Sequence, residues 1–200
     1  MTVSRPRSAG PRGNILFVCT GNVGRSAYME LLLGDELKKA GITGLTVSSA
    51  GTLSVVDAPP HPEVLAELER RGIEPAPFKS RQLTAELAER PGLILTATRD
   101  QRNHIGMLVP RQRGATFTLR QFDRLASGVP GQEIDLEPDL PATLATLARR
   151  NRGLVARGTD DDIDDPMGGA RGGFKAAFAS IDPPLSRLAA MLLTLADRLQ

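Results

Sequence analysis

Residues 14–26 read NILFVCTGNVGRS, and this stretch decides the fold of the chain. Its first part, Asn14 to Cys19, is a short and almost continuous apolar run, which is typical of a buried strand in a parallel sheet. A turn with glycines follows, and after it a helix with an apolar face that ends at Gly41. The stretch therefore predicts a strand, a tight loop and a helix, with Cys19 at the carboxyl end of the strand.

The rest of the chain continues this alternation. Further strands are predicted at 45–49, 92–96 and 115–119, and further helices at 62–71, 83–89 and 99–108. This spacing is that of β–α–β units, which predicts an α/β fold: a single three-layer domain with a four-stranded parallel sheet and helices on both faces. Ligands of such sheets bind beyond the carboxyl ends of the strands. The loop after the first strand is therefore the expected ligand site.

Three segments lie outside this pattern. Residues 1–13 place three arginines among Ser, Gly and Pro, and we expect a disordered basic tail there, with an anion-binding arm as the alternative. The domain then covers 14–200 and contains an insertion of open role at 125–158, with a loop rich in Gly and Pro and an arginine-rich helix over 142–157. A last helix over 184–199 carries an apolar stripe that we expect to pack in the core.

Composition narrows the class of protein. The chain has 200 residues, a net charge of +2, one cysteine, no Trp and one Tyr. A single cysteine forms no internal disulfide, there is no apolar signal segment, and no apolar run is long enough to span a bilayer. We therefore expect a cytoplasmic protein without membrane contact, monomeric by default. The scarcity of aromatic residues argues against a nucleic-acid surface that works by stacking.

The loop after the first strand has the residues that a phosphate site needs. Successive backbone N–H groups of such a loop can point inward at an anion, and the following helix adds its positive end. Gly21 and Gly24 permit close approach of the backbone, and Arg25 offers a planar pair of donors. The predicted phosphate-binding set is Thr20, Gly21, Asn22, Val23, Gly24, Arg25 and Ser26.

The same loop would activate a nucleophile. A thiolate is favoured at helix N-termini and beside cations, and the Ser26 hydroxyl can donate a further hydrogen bond to the sulfur of Cys19. The alternative is that Cys19 is a small buried apolar residue at the end of a strand, as many free cysteines are.

The sequence CTGNVGRS at 19–26 resembles the active-site loop of the low-molecular-weight protein tyrosine phosphatase family, C-x-G-N-x-C-R-S. Five later segments are similar to that family in its chain order: VSSAGT (47–52), SRQLT (80–84), GLILTATRDQRNHI (92–105), FTLRQF (117–122) and DDPMGG (164–169). The resemblance covers roughly 14–125 and 160–198. It implies a metal-free and cofactor-free phosphatase that works through a cysteinyl-phosphate intermediate.

Carried over by residue, the resemblance implies that Cys19 is the nucleophile, that Arg25 binds the phosphate and that Asp165 is the general acid. It also implies that Ser49 supports Asn22 in the loop. A leaving oxygen needs a proton and an attacking water needs a base, and one carboxyl group can do both. We expect the surrounding acidic residues of 160–164 to favour the protonated form of that acid. The alternatives for this run are a solvated loop and a cation site, and the second lacks the glycine turn and terminal Glu of a calcium loop.

Several positions depart from the family pattern. Gly24 replaces the second loop cysteine, so the disulfide that protects the nucleophile in many relatives cannot form, and we expect irreversible over-oxidation of Cys19. Met167 stands where an aromatic residue is usual. Val23 occupies a position that resembles a selectivity residue between phosphotyrosine and phosphoarginine, and its apolar chain favours an aryl or alkyl phosphate. We expect no catalytic role for His104.

The predicted partners are a phosphorylated protein or a small phosphate ester, with inorganic phosphate or another oxyanion in the loop. Phosphotyrosine, phosphoarginine and a sugar phosphate all remain open as the substrate. Two other functions stay open as well. One is an arsenate reductase on the same fold, which with a single cysteine would need a small thiol. The other is a non-catalytic phosphate binder.

Overall fold

The computed structural model describes residues 11–128, 134–156, 158, 160–167 and 173–199. Its centre is a four-stranded parallel sheet in the order β2-β1-β3-β4. The strands are β1 (Gly13–Cys19), β2 (Leu45–Gly51), β3 (Leu93–Thr96) and β4 (Thr116–Thr118). Cys19 pairs in register with Gly51 at the carboxyl edge of the sheet. The predicted α/β class and the predicted sheet are confirmed.

Helices cover both faces of the sheet and complete three layers. They are α1 (Arg25–Lys39), α2 (Pro62–Arg70), α3 (Ala85–Glu89), α4 (Arg99–Leu108), α5 (Leu119–Ser127), α6 (Leu140–Arg150) and α7 (Gly173–Asp197). Short 3-10 turns follow α4 and α6, at Pro110–Gly114 and Asn151–Gly153. Alternate residues of β1 point to opposite faces: Phe17 packs with the larger cluster under α1 and α7, and Val18 with the smaller one under α3 and α4.

The last helix begins earlier than predicted. It starts at Gly173 rather than at Pro184, and it runs through Pro183 and Pro184. Each proline removes one helical hydrogen bond, which is why the sequence favours a start there. Tertiary contacts hold the preceding turns instead, because the rings of Tyr28 and Phe178 lie 4.4 Å apart and the Tyr28 hydroxyl donates to Asp182 over 2.7 Å.

The predicted insertion contributes a packed helix, which ends at Arg150 rather than at residue 157. Leu140, Leu144 and Ala148 are buried in the larger core cluster. The segment is also tied to the start of β1, since the N–H of Arg12 donates to the carbonyl of Pro138 over 2.8 Å.

The predicted basic tail, residues 1–13, lies outside the described residues up to position 10. Its end differs from the prediction, because Arg12 pairs with Pro138 and Gly13 already belongs to β1. In the described ranges, no helix is both long enough and apolar enough to cross a lipid bilayer.

Candidate active site

The loop of residues 19–26 curls around the sulfur of Cys19. The Cys19 residue is only 2% exposed to solvent. The backbone N–H of Asn22 lies 3.3 Å from Sγ, and the Ser26 hydroxyl oxygen lies 3.0 Å from it. Asn22 makes this return possible because it adopts a left-handed conformation, with φ at 56°, which asparagine tolerates better than most residues. A main-chain donor and a hydroxyl thus converge on one sulfur.

The side chain of Asn22 supports the loop from within. Its amide nitrogen donates to Ser26 over 3.0 Å and to Ser49 over 2.6 Å, and its oxygen accepts from the N–H of Arg81 over 2.7 Å. Because the Ser26 oxygen accepts a hydrogen from Asn22, its own hydrogen is free for the sulfur. Donation of that hydrogen to a Cys19 thiolate would point the hydroxyl dipole at the sulfur.

The network continues past Ser49 into α1. The Ser49 hydroxyl donates to a carboxylate oxygen of Glu30 over 2.5 Å, and a nitrogen of the Arg81 guanidinium donates to the Ser49 carbonyl over 2.9 Å. Burial raises the pKa of Glu30, an effect that the hydrogen bond from Ser49 and the charge of Arg81 oppose. Glu30 therefore holds the Ser49 hydroxyl in place, and Ser49 in turn supports Asn22 of the phosphate loop.

The end of β2 lies directly under the loop. A Cβ atom at Gly51 would lie 2.9 Å from the backbone nitrogen of Asn22 and closer still to the carbonyl oxygen of Thr20. No side chain fits between these backbones. On the other side, the Gln101 amide of α4 donates to the Thr20 hydroxyl over 3.2 Å.

Arg25 joins the loop to a distant segment. Its side chain is almost fully buried, and one terminal nitrogen donates to the carbonyl of Ile163 over 2.8 Å. The other lies 2.9 Å from a carboxylate oxygen of Asp165, whose side chain is 43% exposed. Both residues line a cavity of about 470 Å³. The structure thus places the predicted phosphate ligand and the predicted acid in direct contact at one cavity.

A family model for low molecular weight phosphotyrosine protein phosphatases matches residues 14–138. The chain belongs to this family. It is a phosphatase, and hence a hydrolase, as its relatives are. This match confirms the family that the loop sequence at 19–26 indicates.

Three relatives illustrate the match. The low molecular weight protein-tyrosine-phosphatase Ptp of Acinetobacter johnsonii is 36% identical over 106 residues, which cover 53% of this chain and 71% of that protein. A protein-arginine-phosphatase of Geobacillus stearothermophilus is 29% identical over 180 residues, which cover 90% of this chain and 96% of that protein. A solved structure of the arginine phosphatase YwlE, a mutant with a phosphorylated active-site serine, superposes with a TM-score of 0.66 at 25% identity and covers 94% of this chain and 99% of that one.

The acidic run of this phosphatase is organised by arginines. Salt bridges link Asp160 to Arg120 at 2.7 Å, Asp161 to Arg124 at 2.9 Å and Asp162 to Arg99 at 3.1 Å. Although desolvation opposes the change, hydrogen bonds from the Arg99 side chain and backbone lower the pKa of Asp162. The neighbours that we expected to repel a charge on Asp165 therefore face opposite charges. Among the described residues, no group of three or more His, Cys, Asp or Glu is arranged to hold a metal ion.

The cavity wall of the phosphatase contains residues that the sequence did not single out. Thr98 and Asp100 of the α4 start line it, and so does His104, for which we expected no catalytic role. The loop after β2 has exposed apolar side chains, among them Leu53. The backbone N–H of Leu53 donates to the carbonyl of Thr20 in the phosphate loop over 2.9 Å.

Sequence reasoning missed Glu30 and Arg81 as loop supports. Arg81 lies in the segment SRQLT, which the resemblance singles out, so a signal for it existed. Glu30 stands between Met29 and Leu31, both buried, and a charged residue within an apolar helix face was its signal.

Proposed function

We propose that this phosphatase hydrolyses phosphate monoesters of proteins or small molecules through a cysteinyl-phosphate intermediate. Cys19 is the nucleophile, Arg25 binds the phosphate and Asp165 is the general acid and base. The observation that carries the proposal is the contact of Arg25 with Asp165 at 2.9 Å, at a cavity that the loop of Cys19 adjoins.

In the first step, the Cys19 sulfur attacks phosphorus and forms a sulfur–phosphorus bond. The bond from phosphorus to the ester oxygen breaks, and Asp165 gives its proton to that leaving oxygen. The donors on the sulfur, the N–H of Asn22 and the hydroxyl of Ser26, stabilise the thiolate before attack.

In the second step, water attacks the phosphorus of the intermediate. The Asp165 carboxylate takes a proton from this water, and the sulfur–phosphorus bond breaks with its electron pair returning to Cys19 as a thiolate. The hydrogen bonds that stabilise the attacking sulfur also stabilise it as a leaving group. The enzyme is then ready for another cycle, with Asp165 protonated again.

Arg25 supports both steps by charge and shape. Its fork can bind two phosphate oxygens at once. One of its nitrogens is already oriented by the Ile163 carbonyl over 2.8 Å. Little side-chain freedom is lost on binding, because the guanidinium is held before the phosphate arrives.

For the substrate, we favour an aryl or alkyl phosphate on a protein. Val23 is apolar at the loop position of the expected selectivity residue, and the apolar side chains of Leu53 and Met167 are exposed close in the chain to Thr52 and Asp165, which line the cavity. Protein phosphoarginine is the second candidate, because the similarity to the arginine phosphatase of Geobacillus stearothermophilus extends over 90% of the chain.

The test is turnover on phosphotyrosine, phosphoarginine and sugar-phosphate substrates, with a rapid acid quench to trap phosphate on the protein. We expect label on Cys19 and no turnover by Cys19→Ser. Asp160→Asn is a control for Asp165→Asn in the same acidic run, because Asp160 is exposed and does not line the active-site cavity. A protein that turns over no ester but keeps its phosphate ligand after Cys19→Ser would be a binder. Reduction of arsenate with a small thiol, without ester hydrolysis, would instead support the reductase.

A further inference from the structure

A second cavity, of about 500 Å³, lies beside α4. It is lined by Arg102, Asn103, Gly106 and Met107 of that helix, and by Arg113, Thr116, Gln121 and Arg152 from the segments around it. The α4 residues that line the active-site cavity are different ones, Asp100, Gln101 and His104. Arg152 comes from the segment that the sequence predicts to be an insertion.

The charged side chains that line this cavity are all positive. Its described lining contains three arginines and no acidic residue, and a fourth, Arg149, lies close enough for its charge to act on Arg152. None of these four arginines forms a salt bridge with a described residue, whereas nine other described arginines and two lysines do. We call Arg102, Arg113, Arg149 and Arg152 the arginine cluster.

Three members of the arginine cluster are held in place by the fold. Arg102 donates to the Gln121 side chain over 2.9 Å, and Arg113 donates to the carbonyl of Gly106 over 2.8 Å. Arg152 lies over the ring of Phe117, with 4.6 Å from its guanidinium carbon to the ring centroid. A guanidinium has five N–H donors, so each of these side chains keeps donors beyond the ones that position it.

Clustering these positive charges costs free energy. Partial burial of Arg152 and the charges of Arg102 and Arg149 lower its pKa. Arg102 also acts on Asp162, but that carboxylate is already paired with Arg99. An anion bound among the four arginines would remove this repulsion and use the free donors.

We propose that the arginine cluster binds an oligophosphate, an anion with two or more linked phosphate groups. A single phosphate dianion would balance only part of the cluster, whereas a chain of phosphates brings enough charge and fits a cavity of this size. The free inorganic chain and the phosphate chain of a nucleoside triphosphate share this chemistry.

The experiment is calorimetric titration of tripolyphosphate into the full chain with the active site saturated by phenylphosphonate. We expect one tripolyphosphate per chain and binding at least tenfold tighter than that of orthophosphate. Arg149→Glu, an exposed position, and Arg152→Gln should each weaken binding at least tenfold. Arg150→Glu is the matched control and should stay within threefold, because Arg150 pairs with Asp135 and, unlike Arg149, is not among the charges that act on Arg152.

A thermal unfolding curve shows whether Arg152→Gln is folded, and Arg149→Glu tests the proposal independently of that outcome. Adenosine triphosphate is titrated in parallel. Equal affinity means that the phosphate chain alone is recognised, and higher affinity means that the nucleoside adds contacts. No binding to the phenylphosphonate-saturated protein would overturn the proposal, and so would equal weakening by Arg150→Glu and Arg149→Glu.

Discussion

A terminal nitrogen of Arg25 lies 2.9 Å from a carboxylate oxygen of Asp165, although the two residues are far apart in the chain. The same guanidinium is the proposed ligand of the substrate phosphate. Two anions therefore compete for one cation, and the phosphate must share Arg25 with the acid or displace it. Protonation of Asp165 ends this competition and supplies the proton that the leaving oxygen needs. In the proposed mechanism, phosphate binding and acid catalysis are therefore coupled through Arg25.

The Asp165→Asn variant separates these two effects. With a poor leaving group such as an alkyl phosphate, turnover should fall by about 10² to 10⁴, the usual contribution of a general acid. Product inhibition by inorganic phosphate should become stronger, because the carboxylate no longer competes for Arg25. Steady-state kinetics with phosphate as inhibitor measures both. Weaker phosphate inhibition in the variant would contradict the proposed competition.

Ser26→Ala tests the hydroxyl beside the sulfur, which lies 3.0 Å from it. A hydrogen bond to a charged group is worth about 1.5 to 3 kcal/mol, so kcat should fall by about tenfold to a hundredfold. Ser127→Ala, at an exposed position at the end of α5, should have no effect. An unchanged kcat in Ser26→Ala would mean that the hydroxyl does not stabilise the thiolate.

Gly51→Ala should distort the phosphate loop. The added methyl group would lie 2.9 Å from the Asn22 nitrogen and even closer to the Thr20 carbonyl, so a backbone must move. We expect a fall of at least tenfold in kcat/KM and a lower midpoint of thermal unfolding. The control is Gly34→Ala in α1, where a Cβ has no neighbour within 4 Å and alanine should stabilise the helix by about 0.5 to 1 kcal/mol. Full activity in Gly51→Ala would show that the loop tolerates the displacement.

Gly24→Cys restores the second loop cysteine of the family pattern. Its Cβ would lie 3.4 Å from the ring of Phe174, so the residue can enter without displacing the backbone. Peroxide should inactivate the native protein irreversibly, since Cys19 is the only cysteine in the chain. The variant should recover activity when a thiol reductant is added after the same treatment. Equal recovery of both proteins would argue against a protective disulfide.

Glu67 makes the free energy of unfolding depend on pH in the acidic range. Hydrogen bonds from Arg70 and Arg71 lower its pKa from 4.5 to about 2, so the folded protein binds this proton less readily than the unfolded chain. The stabilisation is complete above pH 4.5 and is lost as the pH falls toward 2. Glu67→Gln should lower the free energy of unfolding at pH 7 by about 1 kcal/mol, because solvent screens a surface network of this kind.

Urea unfolding between pH 7 and pH 3 measures this difference, which should shrink as the pH falls below 4.5. Glu69→Gln, an exposed position in the same helix, should show no such dependence. If the free energies of unfolding of Glu67→Gln and of the native protein differ by the same amount at every pH, Glu67 does not cause the loss of stability in acid.

The local sequence pattern was enough to predict the strand and the loop at the centre of the molecule. The apolar run before Cys19 predicts β1, and the glycines and Asn22 predict a loop that can turn back on the sulfur. These features depend on residues close together in the chain, whose backbone preferences act wherever the segment lies. The start of α7 shows the opposite case, because Pro183 and Pro184 favour a helix start that the packing of Phe178 on Tyr28 overrides.

The sequence by itself determined the strand, the loop and the helix at 14–39, and with them the residues that we propose as nucleophile and phosphate ligand. Only the tertiary structure decided that Asp165 contacts Arg25, that Glu30 supports the loop through Ser49, and that three members of the arginine cluster line one cavity. Backbone propensity and apolar periodicity are local properties. The pairing of charges from distant segments is set by how the elements pack, and no short stretch of sequence contains that information.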